Sequence, residues 1–286
     1  MKKLNKKLVP PCSYQGGKQR LAKQIVDIIF EQNDINEDTK FYDLCCGSGA
    51  ITLELINRGI HPNNITMIDK GVYGAFWNSV ANNEFDLEIF KSEIDKLPEI
   101  KDIQKYLQEL SNQDVNSDKL EYHYLLLQSG SFGSKQIWIE NNRWKNNSFR
   151  SYWLPTETSS RRSPVNPMMP MPNTLYNRVK DIVDYLGGNV NAINSDISKI
   201  KWRFDNNSIV YIDPPYKNTT KYGNDFNYEE FIINNRTYVN IYVSEGYKMD
   251  DVNNAILLSK GRTKGNISGD VKKKPVEEWL NIYKLH

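Results

Sequence analysis

The sequence has few cysteines and histidines, and neither kind is spaced for chemistry of its own. Its 286 residues include three cysteines and three histidines. Cys45 and Cys46 are adjacent and Cys12 is alone, which is neither a disulfide framework nor a zinc-ligand spacing. The histidines, which form no ligand pair, are His61, His123 and His286. We therefore expect no metal site and no nucleophilic cysteine.

The chain also lacks a charge excess of one sign and a long apolar run. Its 37 Lys and Arg residues and 35 Asp and Glu residues leave a formal net charge of +2. Contact with nucleic acid must therefore come from local clusters. No apolar run approaches the roughly 18 residues of a membrane span. The basic amino terminus is followed only by Leu8 and Val9 before two prolines, so we expect no signal peptide and an intracellular protein.

Strand and helix patterns alternate on both sides of a central gap. The length suits one large domain or a domain with an inserted module. The strand patterns cover residues 41–46, 64–68, 189–194, 210–212, 238–244 and 276–283. The helix patterns cover residues 18–32, 51–58, 72–81, 97–110, 119–128, 175–186, 228–235 and 250–259. We predict a doubly wound, mostly parallel α/β sheet of about seven strands, formed by residues 1–82 and 175–286 and interrupted by an insertion at 83–174.

The tetrapeptide Asp213-Pro214-Pro215-Tyr216 follows a short apolar stretch, Val210–Ile212, that predicts a buried strand. Prolines end a strand, so Asp213 should lie at its carboxyl end, where open α/β sheets place their ligand crevice. The amine of an aromatic base is a poor nucleophile because its lone pair is drawn into the ring. A carboxylate and the next backbone carbonyl can accept its hydrogens, and a tyrosine can stack on the extracted base. The alternative is a plain Pro-Pro turn with a surface tyrosine.

Two glycine turns precede predicted helices. Gly47-Ser48-Gly49 follows the strand that contains Asp43, which is the opening of a nucleotide-binding α/β sheet. The full dinucleotide spacing is missing, and Asp43 fits a ligand with an amino-acid tail and a cationic centre. Earlier in the chain, Gly16-Gly17 lets the backbone approach a ligand, and Lys18 can meet a carboxylate. An ordinary turn at the start of a helix explains Gly16-Gly17-Lys18 equally well.

Two further acidic residues end predicted strands. Asp69 comes about 20 residues after the glycine turn, where a carboxylate accepts hydrogen bonds from ribose hydroxyls. Its alternative role is a helix N-cap, and the two roles are compatible. Asp196 ends a later strand and is placed to bond the amine of a ligand's adenine.

The insertion mixes aromatic residues with arginine, lysine and asparagine in a turn-rich stretch. Such a mixture suits a nucleic-acid surface, because cations meet phosphates while Arg and Asn read base edges. A loop-rich subdomain with its own aromatic core is the alternative. The polar loop 217–224 is long enough to close over a substrate. The lysine-rich stretch 260–274 could grip phosphate, but we favour a solvated hairpin tip.

Taken in order, these motifs resemble the DNA adenine methylase family, the α-group adenine-N6 DNA methyltransferases that use S-adenosylmethionine. The resemblance rests on Tyr14-Gln-Gly-Gly-Lys18, Asp43-Leu-Cys-Cys-Gly-Ser-Gly49, the two strand-ending acids and Asp213-Pro-Pro-Tyr216. Ser131-Phe-Gly-Ser-Lys135 is similar to the family's stretch at its DNA-facing hairpin. The insertion at 83–174 lies where that family carries its target-recognition domain, so the resemblance implies such a domain there. Tyr14 stands where the family usually has tryptophan, and Asp43-Leu-Cys-Cys stands where it usually has Glu-Pro-Phe; both changes keep the chemical type.

The resemblance implies roles for individual residues. Tyr14 and Lys18 would contact the methionine end of S-adenosylmethionine, Gly47 and Gly49 would form its turn, and the catalytic pocket would be Asp213, Pro214, Pro215 and Tyr216. Asp69 would hold the ribose and Asp196 the adenine, while Asp43 and Asp213 would border the cofactor. Candidate DNA-binding residues are Lys135, Arg143, Lys145, Arg150, Arg161, Arg162 and Lys221.

The resemblance also implies a setting, and it leaves alternatives open. We expect double-stranded DNA as substrate, a cognate restriction endonuclease as a candidate partner, a monomer or weak dimer, no membrane, and the cytoplasm of a bacterial or phage-infected cell. Asp-Pro-Pro-Tyr also occurs in enzymes that methylate guanine-N2 of RNA, although those lack the amino-terminal Gly-Gly-Lys and the long insertion. A non-catalytic DNA-binding protein on the same scaffold is the second alternative.

Overall fold

A computed structural model describes residues 6–13, 15–98, 102–150, 170–215, 227–260 and 277–285 of the protein. Along these residues the strands are β1 Lys40–Leu44, β2 Ile65–Asp69, β3 Trp138–Glu140, β4 Arg143–Lys145, β5 Asn191–Asn194, β6 Ser208–Ile212, β7 Asn240–Glu245, β8 Asn254–Ser259 and β9 Glu278–Tyr283. The helices are α1 Ala22–Gln32, α2 Ala50–Asn57, α3 Val72–Ala81, α4 Leu87–Asp95, α5 Ile103–Asn112, α6 Leu120–Gly130, α7 Pro172–Leu186 and α8 Tyr228–Asn235.

Seven of these strands form one mixed sheet in the order β5-β2-β1-β6-β7-β9-β8. The first five are parallel, and β9 pairs antiparallel with both β7 and β8. The chain builds outward from β1 through β2 to β5, then returns to β6 on the other side of β1. The direction of strand order therefore reverses between β1 and β6, which is where open α/β sheets bind ligands. The predicted mostly parallel α/β sheet is confirmed.

The central strands are buried on both faces. In β6, Ile209 and Tyr211 belong to one core while Val210 and Ile212 belong to the other. Successive side chains of a strand point to opposite faces, so an uninterrupted apolar run identifies a strand covered on both sides. Helix α8 covers one face through Phe231, and α1 and α2 pack over the other.

The helices α4 to α6 extend the core on the α1–α3 side instead of forming a separate one. Phe76 of α3 contacts Phe85 edge to face at 5.3 Å, and Phe90 of α4 stacks on Tyr176 of α7 at 6.2 Å between ring centroids. Trp144 of β4 is buried against Tyr124 of α6. At least part of the aromatic content of the insertion is therefore core. A distinct target-recognition domain at 83–174 stays a prediction.

One local expectation was wrong and one was right only in part. The predicted helix at 250–259 is the strand β8, because its short apolar stretch, which periodicity alone leaves ambiguous, pairs with β9. The helix predicted at 97–110 is present as α5 but begins only at Ile103, and α4, which ends before Pro98, was not predicted. The hairpin of β3 and β4 was not anticipated. Within the described ranges, none of the helices is both long enough and apolar enough to cross a membrane.

Candidate active site

Asp213 is the first residue after β6 and lies beside the end of β1. Leu44 and Ile212 are register partners, and the backbone amide of Asp213 donates to the carbonyl of Leu44 at 3.2 Å. Pro214 and Pro215 follow directly, so the ladder stops there. The sequence therefore places this carboxylate at the point in the sheet where strand order reverses.

A tight turn between β1 and α2 forms the neighbouring wall. Gly47 and Gly49 have φ angles of +49° and +74°, a region that favours glycine. A Cβ on Gly49 would lie 2.4 Å from a ring carbon of Trp77, so no larger residue fits there without movement. The indole nitrogen of Trp77 donates to the carbonyl of Gly47 at 2.8 Å. Helix α3 thus holds the turn in place through Trp77.

Asp69, at the end of β2, holds the same turn from the other side. Its two carboxylate oxygens accept from the backbone amides of Gly47 at 2.9 Å and Gly71 at 2.7 Å. Burial raises the pKa of Asp69 above its usual value, although the two amides oppose that shift. Gly71, not Asp69, is the N-cap residue of α3. The ribose role of Asp69 stays a prediction.

Asp43 is buried within β1 and keeps one oxygen without a hydrogen-bond partner. Its side chain is 2% exposed, and Oδ2 accepts from the backbone amide and hydroxyl of Thr52 at 3.2 and 2.7 Å. Among the described residues, nothing donates to Oδ1. Burial raises the pKa of Asp43 to about 7, and the nearby Asp213 and Asp69 carboxylates add to the shift. A buried acceptor of this kind suits a positively charged donor from a ligand.

Lys18 is the buried cation of this site. Its Nζ lies 2.5 Å from Oδ1 of Asp213, 3.4 Å from Oε1 of Glu278 and 3.2 Å from the carbonyl of Gly16. Its side chain is 5% exposed, and burial opposes its charge, yet the two carboxylates raise its pKa. Lys18 therefore does more than begin α1, which starts only at Ala22.

The site carries more acid than base. Burial raises the pKa of Asp213 to about 6 while Lys18 opposes the shift, and Glu278 and Glu245 raise it further. Asp43 and Asp213 line one small cavity together with Lys18, Cys45, Cys46 and Ser48. The excess negative charge in a poorly solvated crevice attracts a cationic ligand.

Asp196 lies farther along the same edge of the sheet, beyond β5. Its Oδ2 is 2.9 Å from Nζ of Lys70, and its Oδ1 accepts from the backbone amide and hydroxyl of Ser198 at 3.0 and 2.7 Å. The bonds from Lys70 and Ser198 lower its pKa to about 2. Its predicted contact with the cofactor adenine stays a prediction, and Asp196 already caps the short helical turn Ile197–Lys199.

The cysteines are poor nucleophiles. Burial raises the pKa of the Cys12 thiol to about 12 and the pKa values of Cys45 and Cys46 well above their usual value. The thiolate is the reactive form, so none of the three is activated. In the part of the chain that the structure describes, no three His, Cys, Asp or Glu side chains are grouped to hold a metal ion.

The loop Ser131–Lys135 packs against the amino-terminal motif. The backbone amide of Gln15 donates to the carbonyl of Ser134 at 2.5 Å, and the hydroxyls of Ser13 and Ser134 are 3.0 Å apart. Phe132 on this loop is 57% exposed. The structure thus brings the stretch that resembles a DNA-facing hairpin next to the loop that carries Lys18.

The candidate DNA-binding residues on the hairpin of β3 and β4 are already ion-paired. Nε of Arg143 lies 3.0 Å from Asp114, and Nζ of Lys145 lies 3.7 Å from Glu140. Lys135 is exposed, while the backbone amide of Arg150 donates to the carbonyl of Gly130 at 3.0 Å. Tyr14, Arg161, Arg162, Tyr216 and Lys221 lie outside the described residues, as does nearly all of the 260–274 stretch.

Sequence reasoning missed two carboxylates at this edge of the sheet. Glu245 ends β7 and accepts from the hydroxyl of Tyr228 at 2.9 Å, and Glu278 begins β9. The predicted strand 238–244 stopped one residue short of Glu245, so a boundary one residue later would have identified Glu245 as an acid that ends a strand. Glu278 could be found only by knowing that β9 runs antiparallel, which brings its first residue to the same edge.

Residues 14–129 of this chain match the family model described as D12 class N6 adenine-specific DNA methyltransferase. The match covers about two fifths of the chain, from the amino-terminal motif into α6, and it ends before Asp213. It confirms the recognition of this family from the motifs.

The chain is also similar to longer proteins named tRNA (uracil-5-)-methyltransferase homolog B. It is 26% identical to the one from Mus musculus over 109 residues, which are 38% of this chain and 22% of that protein. Those from Pongo abelii and Homo sapiens are 31% identical over 68 residues, 22% of this chain and 14% of each relative. The chain thus spans less than a quarter of these relatives. The family model and the relatives are all named as methyltransferases. The substrate in the family's name is adenine in DNA, whereas the substrate in the relatives' names is uracil in tRNA.

Proposed function

Because residues 14–129 match a family of adenine-N6 DNA methyltransferases, we propose that this protein transfers a methyl group from S-adenosylmethionine to the N6 amine of adenine in duplex DNA. The observation that carries the proposal is the position of Asp213. It follows β6 at the reversal of strand order, beside the glycine turn of β1, and begins an Asp-Pro-Pro-Tyr sequence.

The residues around the crevice fit S-adenosylmethionine. Asp43 offers a cationic group a buried oxygen that accepts no hydrogen bond from the residues the structure describes, and Gly47 and Gly49 bring the backbone close to the ligand. Asp69 and Asp196 lie in succession along the same edge for the ribose and adenine, and Lys18 would serve the methionine end, as the family resemblance also implies for Tyr14. When bound, S-adenosylmethionine supplies an electrophilic methyl group on a positively charged sulfur. The surplus of carboxylates suits that charge.

Asp213 and Pro214 would activate the adenine amine. The carboxylate of Asp213 accepts one amine hydrogen and the carbonyl of Pro214 the other, so electron density returns to nitrogen. Tyr216 stacks on the base, which must leave the duplex because its amine is not accessible within the stack. Asp213 needs only to be ionised. A pKa of about 6 leaves it ionised at neutral pH.

RNA is the second candidate substrate, favoured only by the names of the partial relatives. Methylation at uracil C5 requires a nucleophile to add to the ring first, because that carbon is otherwise unreactive. The three thiols have raised pKa values and do not suit this step. Transfer to an exocyclic amine needs no nucleophile from the protein, so the DNA proposal fits the described residues better.

The test is transfer of a labelled methyl group from S-adenosylmethionine to duplex DNA and, in parallel, to unmodified tRNA. Adenine methylation mapped in DNA from cells that express the chain would identify the target sequence. We expect N6-methyladenine in DNA and no label in tRNA. Label in tRNA alone, or none in either substrate while Asp213→Asn and wild type both bind S-adenosylmethionine, would overturn the proposal.

A further inference from the structure

The feature that the proposed mechanism does not use is the second carboxylate on Lys18. The Lys18 ammonium lies between two acids, 2.5 Å from Oδ1 of Asp213 and 3.4 Å from Oε1 of Glu278. The side chains of Asp213 and Glu278 are only 11% and 16% exposed. A charge contact inside such a crevice is stronger than one at the surface.

The short contact between Lys18 and Asp213 conflicts with the proposed chemistry. Asp213 is to accept a hydrogen from the adenine amine, yet one of its oxygens already accepts from the ammonium. An ammonium bound to Asp213 alone would draw away the negative charge that the amine needs. A second carboxylate within reach weakens the hold of the ammonium on Asp213, because the ammonium has three N–H donors and can donate to both carboxylates.

Glu278 is placed for this task by the sheet. It is the first residue of β9, and the next residue, Trp279, pairs with Glu245 at the end of β7. The antiparallel direction of β9 thus brings its first residue to the edge where the parallel strands end. Glu277, one position earlier, is exposed and accepts from the indole nitrogen of Trp279 instead.

We infer that Glu278 is a positioning residue that shares the Lys18 ammonium with Asp213 and so keeps Asp213 available to accept the substrate amine. This inference rests on the proposed function, since it takes Asp213 as the catalytic carboxylate. Glu278 acts through Lys18 and does not touch substrate. It belongs to one charge cluster with Lys18, Asp213, Glu245 on β7 and Asp43 on β1.

The substitution Glu278→Gln should change the pKa of Asp213 and the plateau rate of methyl transfer in a combination that damage to the fold would not produce. Loss of the Glu278 charge lowers the pKa of Asp213, because that charge raises it. The acid limb of the pH–rate profile should therefore move to lower pH. The plateau rate should nevertheless fall, roughly five- to twentyfold, less than the 10²–10³-fold loss of a direct electrostatic contact. General damage to the fold would lower the rate without this shift in pH.

The experiment compares Glu278→Gln with Glu277→Gln, which removes the same charge one residue away. Single-turnover methyl transfer over a range of pH, with saturating S-adenosylmethionine, measures the rate and the acid limb. We expect Glu277→Gln to match wild type and Glu278→Asp to recover part of the lost rate. In a Lys18→Met background, Glu278→Gln should not lower the plateau rate further, because Glu278 acts on that rate through Lys18, while its direct charge effect on the pKa of Asp213 should remain.

A second measurement needs neither cofactor nor DNA. Carbon-13 NMR of the Asp213 carboxyl, identified by its loss in Asp213→Asn, follows its titration in the protein alone. We expect a lower pKa in Glu278→Gln than in Glu277→Gln. An unchanged titration, or an equal rate loss with and without Lys18, would overturn the inference. If wild type methylated RNA and not DNA, the proposed function would fail while this titration still decided the role of Glu278.

Discussion

Glu93 in α4 is a buried carboxylate and Asp213 after β6 is a largely buried one, and their surroundings shift their pKa values in opposite directions. Glu93 is 3% exposed and lies 2.7 Å from Lys96 and 2.8 Å from Lys119. Burial opposes its charge, but the two ammonium groups hold its pKa below the usual value. His123 adds a third partner at 3.5 Å. The protein balances this charge internally.

The edge of the sheet lacks that balance. Asp43 and Asp213 have pKa values raised by burial to about 7 and about 6, and Lys18 pairs with Asp213. Burial alone therefore does not identify a functional carboxylate, because Glu93 is about as buried as Asp43 and more buried than Asp213. The difference is whether the protein supplies its own counter-charge or leaves it to a ligand.

The largest expected effect comes from Asp213→Asn. An amide presents a donor where the substrate amine needs an acceptor. We expect the single-turnover rate of methyl transfer to fall on the order of 10²–10³-fold. Affinity for S-adenosylmethionine, measured by calorimetry, should change far less. A near-wild-type rate would remove Asp213 from the chemistry and leave the Pro-Pro turn as architecture.

Asp69→Ala should come next. The substitution removes a charged acceptor from two backbone amides as well as from the proposed ribose contact, and each such bond contributes roughly 1.5–3 kcal/mol. We expect S-adenosylmethionine to bind at least tenfold more weakly by calorimetry. Asp69→Asn is the matched control, because its single oxygen keeps one of the two amide bonds. Equal affinity in Asp69→Ala and wild type would exclude a cofactor role for Asp69.

Asp43→Asn should stabilise the protein in the absence of cofactor. The folded pKa of about 7 exceeds the usual 3.8, so the wild-type chain loses stability as pH rises between these values. Asparagine keeps an acceptor for Thr52 and has no charge to bury. At about pH 8 we expect the free energy of unfolding to rise by on the order of 1–3 kcal/mol, with little change near pH 4. Urea unfolding at both pH values measures it.

Glu93→Gln should have the opposite effect on stability. Its lowered pKa means that the charge stabilises the fold above its usual pKa and that this contribution is lost as pH falls through the folded value. We expect a loss of roughly 1 kcal/mol at neutral pH, since the two lysines are partly exposed. Methyl transfer should not change. Stabilisation by Glu93→Gln would contradict the contrast between the two regions.

The smallest effect should come from the hairpin cations. Lys145→Ala and Arg143→Ala should each weaken DNA binding severalfold and reduce the slope of log affinity against log salt by about 1. The effect is limited because each cation already pairs with Glu140 or Asp114. Lys91→Ala, which removes a cation paired with Asp95 on α4, is the control. Fluorescence anisotropy at several salt concentrations measures it, and unchanged slopes would leave the hairpin as ordinary surface.

Local patterns predicted the parts of the fold that depend on neighbouring residues. Helix α3 has the predicted bounds because its apolar residues recur at helical spacing, and Asp213 ends a strand because two prolines follow it. Strand β8 was predicted as a helix because a short apolar stretch fits either element until a partner strand is present. The ion pairs of Arg143 and Lys145 were not visible either, since their partners depend on how the hairpin packs.

The sequence by itself determined most of the strand and helix order, the strand-end acids Asp69 and Asp213, and the Asp-Pro-Pro-Tyr motif, because each follows from residues close in the chain. Only the tertiary structure decided which charges meet. Lys18 and Asp213 are 195 positions apart, and Glu278 joins them because β9 enters the sheet antiparallel to β7. That Oδ1 of Asp43 accepts no hydrogen bond within the described part of the chain is likewise a consequence of packing. Burial and charge balance are sums over the whole fold, so no local pattern contains them.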